Sequence, residues 1–528
     1  MLKNNLEDEH VEPQKRAHDR ATEYIRDWWP AYLVVASAIT LRLMILFSTS
    51  LVPQMDGAYY LAQVRSLLAG KGLRFSDTPL LFWLQAVVVR VLTAAIPLSL
   101  DNATIAGVKI VDTIVPPLAA LPVFALWLRW TPRERRSVLA AITVAALPAF
   151  SLGLVRMTGD LQKNAFALAL LSLMIWAFDT GAHGSRIRHW ALAMFALLGC
   201  ALSHAGVLAA ALTYVVPAAL YRVVRSARRA LGFVVFCVGA IVLVYVASLF
   251  FPKLGALGSA ILSPLALFSG ETTFSRLSAG LGPDSLADTT AVVLAYAPLV
   301  AVVRLWRGRR PDVPTAATLV GVSVATGILA FPLLGGIDGL RLHLMAYFPA
   351  AVLFAWVVGH LRPGTARVIC GAMLLVNALT VAPVLPQASL PTIAEESYSE
   401  LLSLREMIVD PDNTVVVARH GLEWWAAWAL DADVIPTIGA TPDLWERYDT
   451  VLLLQETRVR NGSTRPGPRD DASTTRFVEG TPPVEGANVV FEGDWYRLSR
   501  ADFALTLGHE YEGEQRTGAA PRPRRPKP

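Results

Sequence analysis

The sequence predicts an α-helical polytopic membrane protein that carries a small soluble α/β domain after its last apolar run. Three observations lead there. Of 528 residues, 54% are hydrophobic and only 17% charged, whereas a soluble globular chain carries about 25% charged residues. The mean hydropathy is +0.45. The apolar residues gather in runs of about 20, long enough to cross a bilayer as helices, and short basic clusters separate the runs until Leu385, where the composition turns mixed.

The elements follow in order. Residues 1–30 are polar and of mixed charge, the pattern of a cytoplasmic N-terminal segment rather than a cleavable signal with a short basic head. The first apolar run, 31–50, reads as an anchor. Compact basic clusters then recur at Arg129–Arg136, Gly184–Trp190, Arg222–Arg229, Arg304–Arg310 and His360–Arg367. Lysine and arginine concentrate on the cytoplasmic side of membrane proteins, so the topology has to return all five clusters to one side. That holds only if the run around Gln85 lies along the outer interface or dips in and returns. Arg90, in the middle of that run, argues the same way, because an arginine at mid-bilayer costs roughly 2.5–3.5 kcal/mol. About eleven crossings result, near 31–50, 104–128, 137–155, 164–181, 189–203, 206–222, 231–250, 289–305, 314–333, 342–360 and 368–385. Residues 31–387 then form the transmembrane domain.

Beyond it, a helix-period run is followed by the β-branched runs "TVVVA" and "TVLLLQ", and "NVVFEGDWYRLS" reads as a hairpin. These place an extracytoplasmic α/β domain at 388–510. The Pro/Arg-rich residues 511–528 have the composition of a disordered tail. The pI near 9.1 comes from the basic clusters. Without an aromatic-interleaved basic patch outside the membrane, nucleic acid is excluded as a partner. Cys200, Cys237 and Cys370 all lie in apolar runs, with neither disulfide nor metal-ligand spacing. No short-period repeat is visible.

The outward segments hold the chemistry-bearing residues. "PQMDGAYYLAQVRSLLAGKG" puts Asp56 where the first helix leaves the bilayer. Tyr60, Val64, Leu67 and Leu68 follow at helical spacing, with Gln63 and Arg65 off the stripe, so an interfacial amphipathic helix is expected. "RMTGDLQKN" carries Arg156, Asp160 and Lys163, and "GGIDGLRLH" carries Asp338, Arg341 and His343. Taken singly, these charges could be solvated loop residues; at one membrane depth beside an interfacial helix, they could instead line a shared aqueous cavity. Lys109 and Asp112 have the spacing of an ion pair. His204 ends a short helix as a local hydrogen-bonder. No His/Cys/Asp cluster of recognised spacing supports a divalent metal.

The stretch "MDGAYYLAQVRSLLAGKGLRFSDTPLLFW" resembles the first outer loop of the GT-C membrane glycosyltransferases, among them protein O-mannosyltransferases, aminoarabinose transferases and oligosaccharyltransferases. "RMTGD" resembles the acidic motif of their next outer loop. The resemblance covers topology over most of the chain and residue patterns near 53–85 and 155–166. It implies a plasma-membrane enzyme that uses a polyprenyl-phosphate-linked sugar as donor and a lipid, glycan or protein as acceptor. By the same resemblance Asp56 matches the catalytic carboxylate and Asp160 the second acid. Arg341 is a looser match to a cation for the lipid phosphate, with Arg156 and Lys163 beside it, and Tyr59, Tyr60 and His343 are substrate-side candidates. The sequence departs from the family in two places. "GLEWWAAWALD" (Gly421–Asp431) has the paired tryptophans of the oligosaccharyltransferase acceptor motif but Ala, Ala and Trp where Asp, Tyr and Gly belong. The turn "DTPLL" stands where some mannosyltransferases have His-Pro-Pro. A metal-independent inverting transfer is the expected reaction. The alternative is a transporter or flippase whose charged outer loops form a gate.

Overall fold

The computed structural model describes residues 26–184, 187–225, 239, 283–308, 310–333, 336–437, 443–460, 477–479 and 487–501. The expected N-terminal segment up to residue 25, the crossing at 231–250 apart from residue 239, and the tail at 511–528 lie outside them. The chain divides into two compact units. One comprises Met1–Ser48, Phe75–Pro97 and Ala106–Ala388; the other comprises Thr49–Arg74, Leu98–Ile105 and Ser389–Pro528. The sequence reading placed all of 31–387 in one transmembrane domain. The structure instead assigns most of the first loop to the unit that holds the C-terminal sheet.

The first unit is helical. Among the described residues, seven helices are long and apolar enough to cross a membrane: Arg26–Leu46, Leu100–Trp130, Val138–Arg156, Gln162–Gly184, Ala205–Arg225, Arg341–His360 and Pro363–Val384. Two further expected crossings fall on Ile187–Ser203 and Val313–Leu329, helices of 17 residues that rise about 25 Å, somewhat less than a ~30 Å hydrocarbon core. The expectation at 289–305 falls on the 26-residue helix Pro283–Gly308. The run around Gln85 forms Leu80–Ala95, 16 residues long. Its Leu81, Phe82, Gln85 and Val89 are buried, while Trp83, Val87, Arg90 and Val91 form an exposed face.

The packing explains the element ends. Leu100–Trp130 passes through a tight 3₁₀ turn at Pro116–Ala119, because two successive prolines remove two backbone donors. Ser137 and Ser151 cap the helices Val138–Ala149 and Leu152–Arg156 by accepting from Ala140 N–H and Leu154 N–H. The Gly336–His360 helix runs through the core and packs on Ala120–Trp130, Val138–Ala149, Pro283–Gly308 and Val313–Leu329. Asp179, wholly buried on Gln162–Gly184, accepts from Thr318 Oγ1 at 2.9 Å and lies 3.8 Å from Arg129 Nε. His183 reaches Asp312 at 3.0 Å. A charge in a membrane bundle needs such partners.

In the second unit, strands β1 (Thr414–Ala418), β2 (Asp433–Pro436), β3 (Thr450–Glu456), β6 (Asn488–Glu492) and β7 (Tyr496–Arg500) form one sheet of order β2-β1-β3-β7-β6. β1 is parallel to β2 and β3, and β7 is antiparallel to β3 and β6. β4 (Arg458–Arg460) and β5 (Phe477–Glu479) pair separately. β1 is buried along its whole length, as a central parallel strand should be. "TVVVA" and "TVLLLQ" are thus its central parallel strands, and the terminal hairpin forms as expected. Helix Leu422–Ala429, between β1 and β2, buries Trp425 and Trp428 completely. Trp428 Nε1–H donates to Tyr398 Oη at 2.6 Å, and Tyr496 Oη–H donates to Ser397 Oγ at 3.1 Å. Burial pushes both phenols above the ordinary tyrosine range.

Candidate functional site

In the second unit, Asp56 stands one residue before helix Gly57–Leu68. Its backbone carbonyl accepts from Tyr59 N–H at 3.0 Å, while its half-buried carboxylate makes no capping bond. Two local features fix this turn. Gln54, at φ +68°, takes Leu390 O with its N–H at 2.9 Å and gives its own carbonyl to Thr392 Oγ1 at 2.8 Å, so the segment is pinned to 390–392. A Cβ on Gly57 would stand 2.6 Å from Val52 O, so the residue after the aspartate must be glycine. Thr49 and Ser50 are tied to Glu395.

The helix that follows is not one-sided. Gly57–Val64 are buried in succession, Gln63 included, because this helix packs on Leu422–Ala429. Tyr59 meets Trp424 edge-on at 4.9 Å and accepts from Gln63 Nε2 at 3.1 Å. Tyr60 is wholly buried with its ring against Tyr59. The paired tryptophans divide: Trp425 is core, and half-buried Trp424 lies between Tyr59 and His420, with the His420 ring 6.2 Å away. His420 Nδ1 is 2.7 Å from the buried carboxylate of Glu423. Arg65 lies over the Trp428 ring at 3.7 Å and pairs with Asp101 at 2.8 Å, so the off-stripe cation of the first loop clamps two segments of this unit together.

In the first unit, the loop of Asp160 is held by residues the sequence reading did not connect to it. Arg42 of the first membrane helix donates to Asp112 O (2.8 Å), Asp112 Oδ1 (2.7 Å), Leu154 O (3.0 Å) and Thr158 Oγ1 (2.8 Å). Asp112 Oδ2 accepts from Gly159 N–H at 2.8 Å, and Gly159 has φ +80°. The backbone immediately before Asp160 is therefore set by a buried ion pair. Asp112 serves as Arg42's partner, and Lys109 lies over the Phe47 ring at 5.2 Å.

Lys163 pairs with Asp77 of the "FSDTP" turn, and Gln162 Oε1 accepts from Gln85 Nε2 at 2.8 Å. These two contacts join the Asp160 loop to the start of Leu80–Ala95. Arg156 ends its short helix half-buried. Arg341 is half-buried near the start of Gly336–His360; His343, about two turns into the helix, is buried with Nε2 3.0 Å from Phe331 O. That bond ties His343 to the end of the preceding helix. The Asp338 side chain lies outside the described residues. Among the described residues no three histidine, cysteine or carboxylate side chains are placed to hold a metal ion.

Arg42 and Asp77 were missed. An arginine inside the first apolar run is itself a signal, since an intramembrane charge needs a partner. Asp77, in contrast, sits in a short polar turn with no spacing to mark it.

The chain folds as a helical bundle followed by a small sheet domain, and this fold is GT-C-like. It is similar to the crystal structure of the oligosaccharyltransferase of Archaeoglobus fulgidus, solved with zinc and sulfate. The TM-score is 0.53 at 14% sequence identity, over 80% of this chain and 67% of that one. No protein-family model and no curated protein sequence matches the chain.

Proposed function

We propose that the protein is an integral-membrane glycosyltransferase that moves a sugar from a polyprenyl-phosphate donor to a hydroxyl or amide acceptor. The observation that carries this reading is the built turn at Asp56: a carboxylate that follows the first membrane helix, on a turn fixed by Gln54 and Gly57. The likeness in fold to an oligosaccharyltransferase supports it.

The donor's tail stays in the bilayer, which places its reactive bond at the rim. The acceptor oxygen or nitrogen attacks the anomeric carbon, the bond from that carbon to the phosphate oxygen breaks, and polyprenyl phosphate leaves with the electron pair. Asp56 takes the acceptor's proton. Asp160 orients the acceptor, and Lys163, Arg156 and Arg341 stabilise the charge that grows on the departing phosphate. Tyr59 and Trp424 offer an aromatic edge to the substrate beside Asp56. The enzyme works in the plasma membrane with its C-terminal domain outside.

The test is transfer of labelled sugar from a panel of polyprenyl-phosphate sugars by the purified protein in proteoliposomes. Transfer by the wild type and its loss in Asp56→Asn is the expected result. Full activity in Asp56→Asn removes the base, and substrate flux without any covalent product would replace the enzyme by a transporter.

A further inference from the structure

The geometry points to Asp77 as an internal stand-in for the donor phosphate, a carboxylate that occupies Lys163 when no lipid phosphate is bound and helps expel that phosphate after transfer. This rests on the reading above, in which a lipid-linked phosphate is what Lys163 meets.

The pair is constructed rather than incidental. Asp77 is buried, with one oxygen accepting from Thr78 N–H at 2.8 Å and the other facing Lys163. Thr78 in turn donates to Ser203 O at 2.7 Å, so the turn that carries the carboxylate is fixed to a neighbouring helix. Lys163 reaches Asp77 from a different element. It sits at the start of Gln162–Gly184 with part of its side chain exposed, 6.0 Å from the Phe82 ring, on a flexible stem with a rotatable ammonium. A rigid acceptor facing a flexible donor is an arrangement in which the donor moves. A phosphomonoester offers Lys163 more charge and more acceptor oxygens than a carboxylate does, so it can displace Asp77, and Asp77 returns once the phosphate departs. The carboxylate also keeps Lys163 from being stranded without a counter-charge in a partly buried setting, which is costly.

The sign of the effect separates this role from a structural one. Binding of undecaprenyl monophosphate to the full-length protein in detergent is measured for the wild type, Asp77→Asn, Lys163→Met and the double variant. Undecaprenol and inorganic phosphate serve as comparison probes. Asp77→Asn keeps an acceptor for Thr78 N–H, and Asp77→Ser repeats the charge removal with a smaller side chain. Removing the competitor should tighten undecaprenyl monophosphate by about tenfold, and Lys163→Met should weaken it by about tenfold, the scale of a partly buried ion pair. The double variant should bind as Lys163→Met does, because the gain acts through the lysine.

Equal or weaker binding in Asp77→Asn and Asp77→Ser, or a gain that persists without Lys163, overturns the inference while leaving the glycosyltransferase reading in place. Wild-type protein that binds undecaprenol as tightly as its phosphate overturns the reading and the inference together. Inorganic phosphate that binds as tightly as the lipid overturns the assignment to a lipid headgroup.

Discussion

Replacing Arg42 by methionine keeps much of the stem volume and removes the guanidinium. Four hydrogen bonds disappear, two to backbone carbonyls, one to Thr158 and one to the Asp112 carboxylate. Both side chains of the ion pair are almost fully buried, at 4% and 0% exposure, so Asp112 is left as an uncompensated charge in the bundle. Breaking a buried pair in this way costs about 3–5 kcal/mol. Asp112→Asn is milder. It retains an acceptor for Gly159 N–H, and Arg42 keeps its carbonyl partners, so a loss of about 1–3 kcal/mol is expected. Neutralising both partners removes the stranded charge, and the double variant should lose less than the sum of the singles by about 1–3 kcal/mol. Unfolding in mixed micelles with a rising fraction of SDS, followed by tryptophan fluorescence, measures all four proteins. Arg42→Met within about 0.5 kcal/mol of the wild type, or strict additivity of the two changes, would refute the claim that this pair holds the Asp160 loop.

Four further outcomes follow from the packing. Gly57→Ala should abolish transfer while costing only about 1–3 kcal/mol of stability, because the new Cβ meets Val52 O and shifts the Asp56 turn; unfolding and transfer assays on one preparation check this. Gly321→Val should destabilise by about 1–3 kcal/mol through overpacking, since a Cβ there would be 2.9 Å from the Ala218 Cβ on the neighbouring helix. Gly371→Ala, with open space around it, should instead stabilise by about 0.5–1 kcal/mol. The fourth outcome is a pH effect. Tyr398 and Tyr496 have phenols raised in the folded state, so the stability they lend is complete below the unfolded value of about 10. It is lost as pH climbs from there through the folded values. Stability measured up to pH 11 should fall in that range, and Tyr496→Phe should flatten the fall.

The legible part of the fold was whatever hydropathy period and charge asymmetry record. The membrane helices, the strands at Thr414–Ala418 and Thr450–Glu456 and the terminal hairpin each carry a local pattern that the structure realises. What could not be read came from long-range packing. The Gly57–Leu68 helix has the stripe of a surface helix, yet its polar Gln63 is buried, because a helix more than 350 residues further on covers it. Lys163 reads as a free cation until Asp77, 86 residues earlier, is brought against it. Spacing showed Asp112 next to Lys109 along a helix, but its salt-bridge partner Arg42 comes from a different helix. Short-range spacing shows which residues could pair, and only the fold decides which do.

The chemistry requires Asp56 and Asp160 to face the same compartment, and labelling from one side of the membrane tests that directly. Single cysteines replace each aspartate in a background lacking Cys200, Cys237 and Cys370, and intact sealed cells are treated with a membrane-impermeant maleimide. Labelling of both positions from outside is the predicted result. Labelling of one from outside and the other only after lysis would place the two carboxylates on opposite faces, where no single sugar could meet both.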